Sequence, residues 1–212
     1  PNIDLYQKLQ KMAIPIVFIN AGYQNVADVS VISDDSEAIY RATNYLISKG
    51  HHRIVGVFQV DDQQGVNRLD GYMKAYQAHS ALLTDCMPMM YKSDDVTQAL
   101  HQINELVVQS PTKRPTAIIA YNDQLAIRII AMIHDLGLRV PEDISVMGFD
   151  DFQLSQYLSP RLTTMTHEKQ RMGQDAAKLL IQKINHHKVA SIIYRPELIE
   201  RDSVKDLSVQ DD

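Results

Sequence analysis

The chain has 212 residues and a single cysteine, Cys86. One thiol can make no disulfide within the chain and cannot build a zinc site of the multi-cysteine kind. Positive charge is in short supply as well. Lys and Arg number 21 against 26 Asp and Glu, for a net charge of −5, and the basic residues form no block. Nothing in that balance favours a nucleic-acid or membrane-surface face. No apolar run approaches the ~20 residues of a membrane span. The first twelve residues have neither the apolar centre nor the cleavage site of a signal peptide. These features fit a cytoplasmic protein. The signatures of catalysis are missing too: there is no GxSxG, P-loop, HExxH or Rossmann GxGxxG. The eight histidines are scattered, at positions 51, 52, 79, 101, 134, 167, 186 and 187, so no set of metal ligands converges. No cofactor and no metal are expected.

What is present reads as an ordinary globular chain. Apolar residues make up 45% and charged residues 22%, enough to bury a core in one large domain or two small ones. Short apolar strands alternate with helical periods. IPIVFIN (14–20), RIVGVFQ (53–59), the weaker CMPMMY (86–91), TAIIAYND (116–123), ISVMGFDD (144–151), LTTMTH (162–167) and SIIYRPELIE (191–200) have strand character. Pro88 marks CMPMMY as an edge strand. Between them run helical faces: Ala38, Ile39, Ala42, Tyr45, Leu46; Val66, Leu69, Tyr72, Met73, Tyr76; Val96, Leu100, Ile103, Leu106; Leu125, Ile129, Ile133, Leu136; and Met172, Ala176, Leu179, Leu180, Ile184. The segment 201–212 is polar and is expected to fray.

Strand and helix in alternation predict an α/β protein with parallel sheet and helices on both faces. Right-handed crossovers put every strand's C-terminal end on one edge, where ligands bind. IPIVFIN has only a helical fragment before it, so the chain reads as starting partway through a larger protein.

The predicted strand ends carry polar residues: Asn20; Asp61, Asp62, Gln63, Gln64, Asn67 and Arg68; Tyr121, Asn122 and Asp123; Asp150 and Asp151; His167 and Lys169. Any one of these clusters has a bland reading, since Asp, Ser or Asn in a βα loop commonly caps a helix. Their coincidence at five strand ends carries more. Asp150 and Asp151 are neighbours, and in an extended segment their side chains point to opposite sides. The expected division gives Asp150 to the crevice and Asp151 to a helix cap. His51–His52 and His186–His187 sit at element ends, where solvated histidines are expected, and a solvated side chain is the default for Lys169. The mixture suits a small polyol: carboxylates and amides accept from hydroxyls, and an Arg fork donates to oxygens. Phe18, Tyr23 or Tyr121 could supply an apolar wall.

The run PTAIIAYNDQLAIRIIAMIHDLGLRVPEDISVMGFDD, followed by YLSPRLTTMTHEKQRMGQDAAKLL, closely resembles the effector-binding domain of the LacI/GalR family of bacterial transcription repressors. AYND, LGLRVPEDISVMGFDD and SPRLTTM in this order are highly specific, and the likeness covers nearly the whole chain. GVFQVDDQQGVNRLDGYMKAY is similar to arabinose-responsive members, which join a winged-helix DNA-binding domain of the GntR type to this domain. The resemblance implies a periplasmic-binding-protein-like fold of two αβα subdomains joined by three crossovers, near Ser33, His167 and Val189. Residues 1–32 and 168–188 would form a truncated N-subdomain, 33–167 and 189–204 the C-subdomain, and 205–212 a tail, with the DNA-binding domain outside this chain. It implies that Arg68, Asn122, Asp150, Asn20 and His167 contact a sugar, with Gln64 one helical turn before Arg68 as a further candidate. Asn20 stands where many relatives have Asp, and His167 where several have Gln. The implied function is a non-enzymatic, homodimeric sugar sensor, responding to L-arabinose and reaching operator DNA through the other domain. The rivals are a periplasmic sugar-binding protein of a transport system and, on a doubly wound sheet, a nucleotide-sugar or dehydrogenase-type enzyme.

Overall fold

A computed structural model of the chain describes residues 2–23, 26 and 29–209. In chain order its elements are α1 (Ile3–Lys11), β1 (Val17–Ile19), β2 (Val29–Ser33), α2 (Asp35–Ser48), β3 (Ile54–Gln59), α3 (Gln63–Ala78), β4 (Cys86–Tyr91), α4 (Val96–Val107), β5 (Ala117–Ala120), α5 (Asp123–Asp135), β6 (Ser145–Met147), β7 (Thr164–Met165), α6 (Lys169–Ile184), β8 (Ile192–Tyr194) and β9 (Leu198–Ile199). The chain divides into two compact units, residues 1–34 with 168–196 and residues 35–167 with 197–212.

The first unit holds a parallel sheet in the order β1-β2-β8. In parallel register, partners share a face, so Val17, Val29, Val31 and Ile192 line one side. Helix α6 covers that side with Met172, Ala176 and Leu179. Tyr6 of α1 packs edge-on against Phe18, at 5.0 Å between centroids. The sequence reading missed β2, because VSVIS is short and runs straight into a helix start. Yet β2 is the strand that gives β1 a partner.

The second unit holds a four-stranded parallel sheet, β4-β3-β5-β6. CMPMMY is its edge, with Pro88 opposite Gly56 of β3. Strands β3 and β5 are buried almost throughout, the signature of a parallel sheet covered on both faces. On one face Val55, Val57, Ile118 and Ala120 pack with α4 and α5 through Ile103, Val107, Ile129 and Ile133. On the other, Ile54, Phe58 and Ile119 pack with α2 and α3 through Ile39, Leu46, Tyr72 and Tyr76.

Helix α3 differs from its predicted face. Val66 is exposed, whereas Gly65, Arg68 and Gly71 are buried. A Cβ on Gly65 would lie 1.5 Å from the Gln59 carbonyl oxygen, and one on Gly71 2.0 Å from that of Ser36. The two glycines let α3 sit against the end of β3 and against α2, which drives Arg68 inward.

Three further expectations are corrected. SIIYRPELIE is two strands. Its first part, β8, pairs with β2 in the first unit, and β9 pairs antiparallel with β7 in the second. Pro196, which has no N–H to donate to a ladder, lies between them, and the chain changes unit at 196/197 instead of near Val189. The segment after Arg201 does not fray through residue 209. Ser203 is fully buried, donating to the Val146 carbonyl at 2.6 Å, and the Leu207 N–H reaches the Lys49 carbonyl at 2.7 Å. His51 is not solvated: it is 1% exposed, with Nε2 on the Lys205 carbonyl at 2.9 Å.

Candidate functional site

The C-terminal ends of β3, β5 and β6, the start of α2 and the end of the β7 segment bring a charged network together in the second unit. Its centre is Arg68, only 2% exposed. Nε and Nη2 both donate to Asp35 Oδ1 at 3.2 Å. Nη1 donates to the Tyr121 carbonyl. The guanidinium lies 3.7 Å from the centre of the Phe149 ring and 4.8 Å from that of Tyr121, close enough for both rings to hold it by cation–π attraction. Nη2 is 3.8 Å from Asp150 Oδ1. A buried cation needs such partners, and removing one member of a buried pair costs about 3–5 kcal/mol.

Asp35 is 3% exposed. Its Oδ2 accepts from Gln64 Nε2 at 3.5 Å, so Gln64 and Arg68, one turn apart on α3, meet the same carboxylate. Burial pushes the Asp35 pKa up, and the Arg68 charge and hydrogen bonds offset that rise only in part. Two Arg donors and one amide donor surround it, which suits the acceptor-only ionised form.

Asp150 answers for the abrupt end of the ISVMGFDD strand. Its φ is +113° and that of Asp151 is +46°, both outside the region that non-glycine residues ordinarily occupy. Such a turn persists only where its surroundings hold it. The Asp150 N–H donates to the Met165 carbonyl at 2.9 Å. Beneath the turn, the buried Asp123 carboxylate accepts from the Phe152 N–H (2.7 Å), Ser155 Oγ (2.6 Å) and Thr164 Oγ1 (2.6 Å). Burial raises the Asp123 pKa; those three hydrogen bonds oppose the rise. A Cβ on Gly148 would fall 2.1 Å from Asp123 Oδ1, so only glycine fits there. Held this way, the Asp150 side chain is 18% exposed, and His167 Nδ1 stands 2.9 Å from its Oδ1. A carboxylate only accepts, so Nδ1 carries the proton. The His167 ring also meets Phe149 edge-on.

Asp151 does not cap a helix. Its Oδ1 accepts from Arg201 Nη2 at 2.6 Å, and the short 3-10 turn at Gln153–Gln156 has no side-chain cap. Asn122 does cap: its Oδ1 accepts from the Leu125 N–H at 2.9 Å. Its side chain also lines a cavity of about 180 Å³ together with Gln59, Tyr91, Ser93 and Arg128. Asp62 caps α3 through Gly65 and accepts from the Tyr121 hydroxyl at 2.6 Å. Asn20 belongs to the first unit, at φ +56° after β1, with its N–H on the Val31 carbonyl.

Of the expected residues, Gln64, Arg68, Asp150 and His167 therefore share one network, Asn122 adjoins it through Tyr121, and Asn20 lies in the other unit. Asp35 and Phe149 were not singled out by the sequence, and Asp123 only as a polar residue at a strand end. Asp35 is the first residue of α2, where an acidic side chain is ordinarily a helix-start signal. The signal for it was Arg68 itself, since an arginine on a buried helix face implies a carboxylate. Among the described residues no group of three or more His, Cys, Asp or Glu could hold a metal ion, and no helix is long and apolar enough to cross a membrane.

Residues 43–204 match the periplasmic binding protein-like domain family. The chain is 41% identical over 211 residues to the arabinose metabolism transcriptional repressor of Geobacillus stearothermophilus, covering 98% of this chain and 58% of that protein. It is 32% identical to the PurR transcriptional repressor of Vibrio atlanticus, over 97% of this chain and 63% of the relative. The chain thus spans about three fifths of these relatives, both of them transcriptional repressors. A LacI family transcriptional regulator from Enterococcus faecium, solved with bound ribose, has the same fold, with a TM-score of 0.85 at 23% identity over 98% of this chain and 76% of that one. The chain belongs to the periplasmic binding protein-like domain family.

Proposed function

We propose that this chain is the sugar-sensing part of a cytoplasmic bacterial transcriptional repressor, and that its effector is L-arabinose. The observation that carries the reading is the Asp150 carboxylate, presented on an anchored turn beside a buried, fully oriented Arg68. Charge-assisted hydrogen bonds to ligand hydroxyls are strong and directional, and a rigid carboxylate avoids the ordering cost of binding. Gln64, Asn122 and His167 are the proposed companions. Phe149 and Tyr121 are both engaged by Arg68, which leaves little aromatic surface for stacking a purine and favours a polyol. The arabinose assignment rests on the relatives' names.

In this reading the sugar shifts a conformational equilibrium by its differential affinity for two states. A homodimer transmits the shift to operator DNA through a domain outside this chain. The test is calorimetric titration of the full-length protein with L-arabinose, D-xylose, D-galactose and D-ribose. Tightest binding of L-arabinose is expected. Tightest binding of another of the four would defeat the arabinose assignment, and binding of only a purine or a phosphorylated sugar would defeat the polyol reading. A monomer in sedimentation, with no response in operator binding, would favour a transport protein.

A further inference from the structure

Asp123 meets the turn that carries Asp150 at both of its ends. Its N–H donates to the Phe149 carbonyl at 2.8 Å, and its Oδ2 accepts from the Phe152 N–H at 2.7 Å. Residues 149–152 are thus bracketed by one residue, the first of α5. Oδ2 also accepts from Ser155 Oγ, on the 3-10 turn that follows, and Oδ1 accepts from Thr164 Oγ1 on β7. Met165, the next residue of β7, takes the Asp150 N–H on its carbonyl. Asp123 is fully buried, so it acts on a ligand only through other residues. Three donors and the first turn of a helix suit its charged form.

Between the bracketed ends lie Asp150 and Asp151, at φ +113° and +46°. Two consecutive non-glycine residues with positive φ are strained, and such strain lasts only where the surroundings over-determine it. We infer that Asp123 is a positioning residue for effector recognition: its side chain holds the turn in the form that sets the Asp150 carboxylate 2.9 Å from His167 Nδ1 and 3.8 Å from Arg68 Nη2. The inference rests on the proposed reading in which Asp150 receives the effector's hydroxyls. Released from the Asp123 carboxylate, the two aspartates relax toward negative φ, and the Asp150 carboxylate leaves its bearing. The effector then has to restore the turn as it binds, and that ordering cost is lost from its affinity.

The test is a double-mutant cycle on L-arabinose binding to the full-length protein, read by calorimetry. Asp123→Ala keeps the N–H bond to Phe149 and removes the carboxylate. It should weaken binding about tenfold in the wild-type background and by less than about twofold once Asp150 is alanine, because the two residues act as one unit. A merely structural role would weaken binding alike in both backgrounds, which overturns the inference. A ligand-free crystal structure of the variant supplies an arm that needs no sugar. In it Asp150 should have left positive φ and its contact with His167; an unmoved turn overturns the inference. If Asp123→Ala does not fold, Thr164→Val takes its place in both arms. It sets a methyl group where the hydroxyl donated to Oδ1 and so displaces the carboxylate, and should weaken binding about threefold in the wild-type background alone. If Asp150→Ala binds L-arabinose as tightly as wild type, the reading of Asp150 as an effector contact fails instead, and the crystal structure still decides whether Asp123 holds the turn.

Discussion

Arg201 Nη2 donates to Asp151 Oδ1 at 2.6 Å, one residue from the carboxylate that faces His167. Adjacent aspartates are thus divided between two jobs. Arg201 also donates from Nη1 to the Leu162 carbonyl and from its N–H to Thr163 Oγ1, so the Asp151 pair ties the turn to the segment after β9. Asp151 is about a third exposed, and solvent weakens such pairs. Asp151→Ala should cost about 1 kcal/mol of stability and leave sugar affinity within twofold. Urea unfolding and calorimetry check both halves, and a tenfold affinity loss would place Asp151 in the site.

Asp150→Ala should leave a folded protein, because Asp35 still neutralises Arg68. Losing a charged acceptor should cost on the order of 1.5–3 kcal/mol of binding, or roughly ten- to a hundredfold in Kd. Unchanged affinity in a calorimetric titration would remove Asp150 from the site.

Gly65→Ala meets the Gln59 carbonyl oxygen at 1.5 Å. The obstacle is backbone at the end of β3, which cannot turn aside as a side chain can. The cost should exceed the roughly 1–3 kcal/mol of ordinary overpacking. It should lower the urea midpoint and also weaken sugar binding, since α3 carries Gln64 and Arg68. Wild-type stability in the variant would show that α3 is not held this closely.

His51 is buried with Nδ1 unpaired and Nε2 donating to the Lys205 carbonyl. Burial lowers its pKa below the ordinary 6.5. The unfolded chain then binds a proton that the folded one resists, so stability falls as pH drops below about 6.5 and is unaffected by this group above it. His51→Gln should flatten that dependence. Thermal midpoints at about pH 7.5 and about pH 5.5 supply the comparison, and an equal slope in both proteins would assign the effect elsewhere.

The sequence by itself determined the alternation of strands and helices, because buried parallel strands such as IVGVF and AIIA are continuous apolar runs and the main helices repeat with the helical period. It also determined which residues lie at strand ends, and with them Gln64, Arg68, Asp150 and His167. What it could not determine were relations between distant residues. VSVIS became a strand only because β1 and β8 pair with it. SIIYRPELIE was divided because its halves find different sheets. Arg68 turned inward because two glycines bring α3 close, and Asp35, 33 positions earlier, receives it. Asp150 acquired its positive φ from a turn anchored on Asp123. Local pattern records how a residue suits its own helix or strand; which carboxylate meets a buried cation depends on packing, and only the tertiary structure decided that.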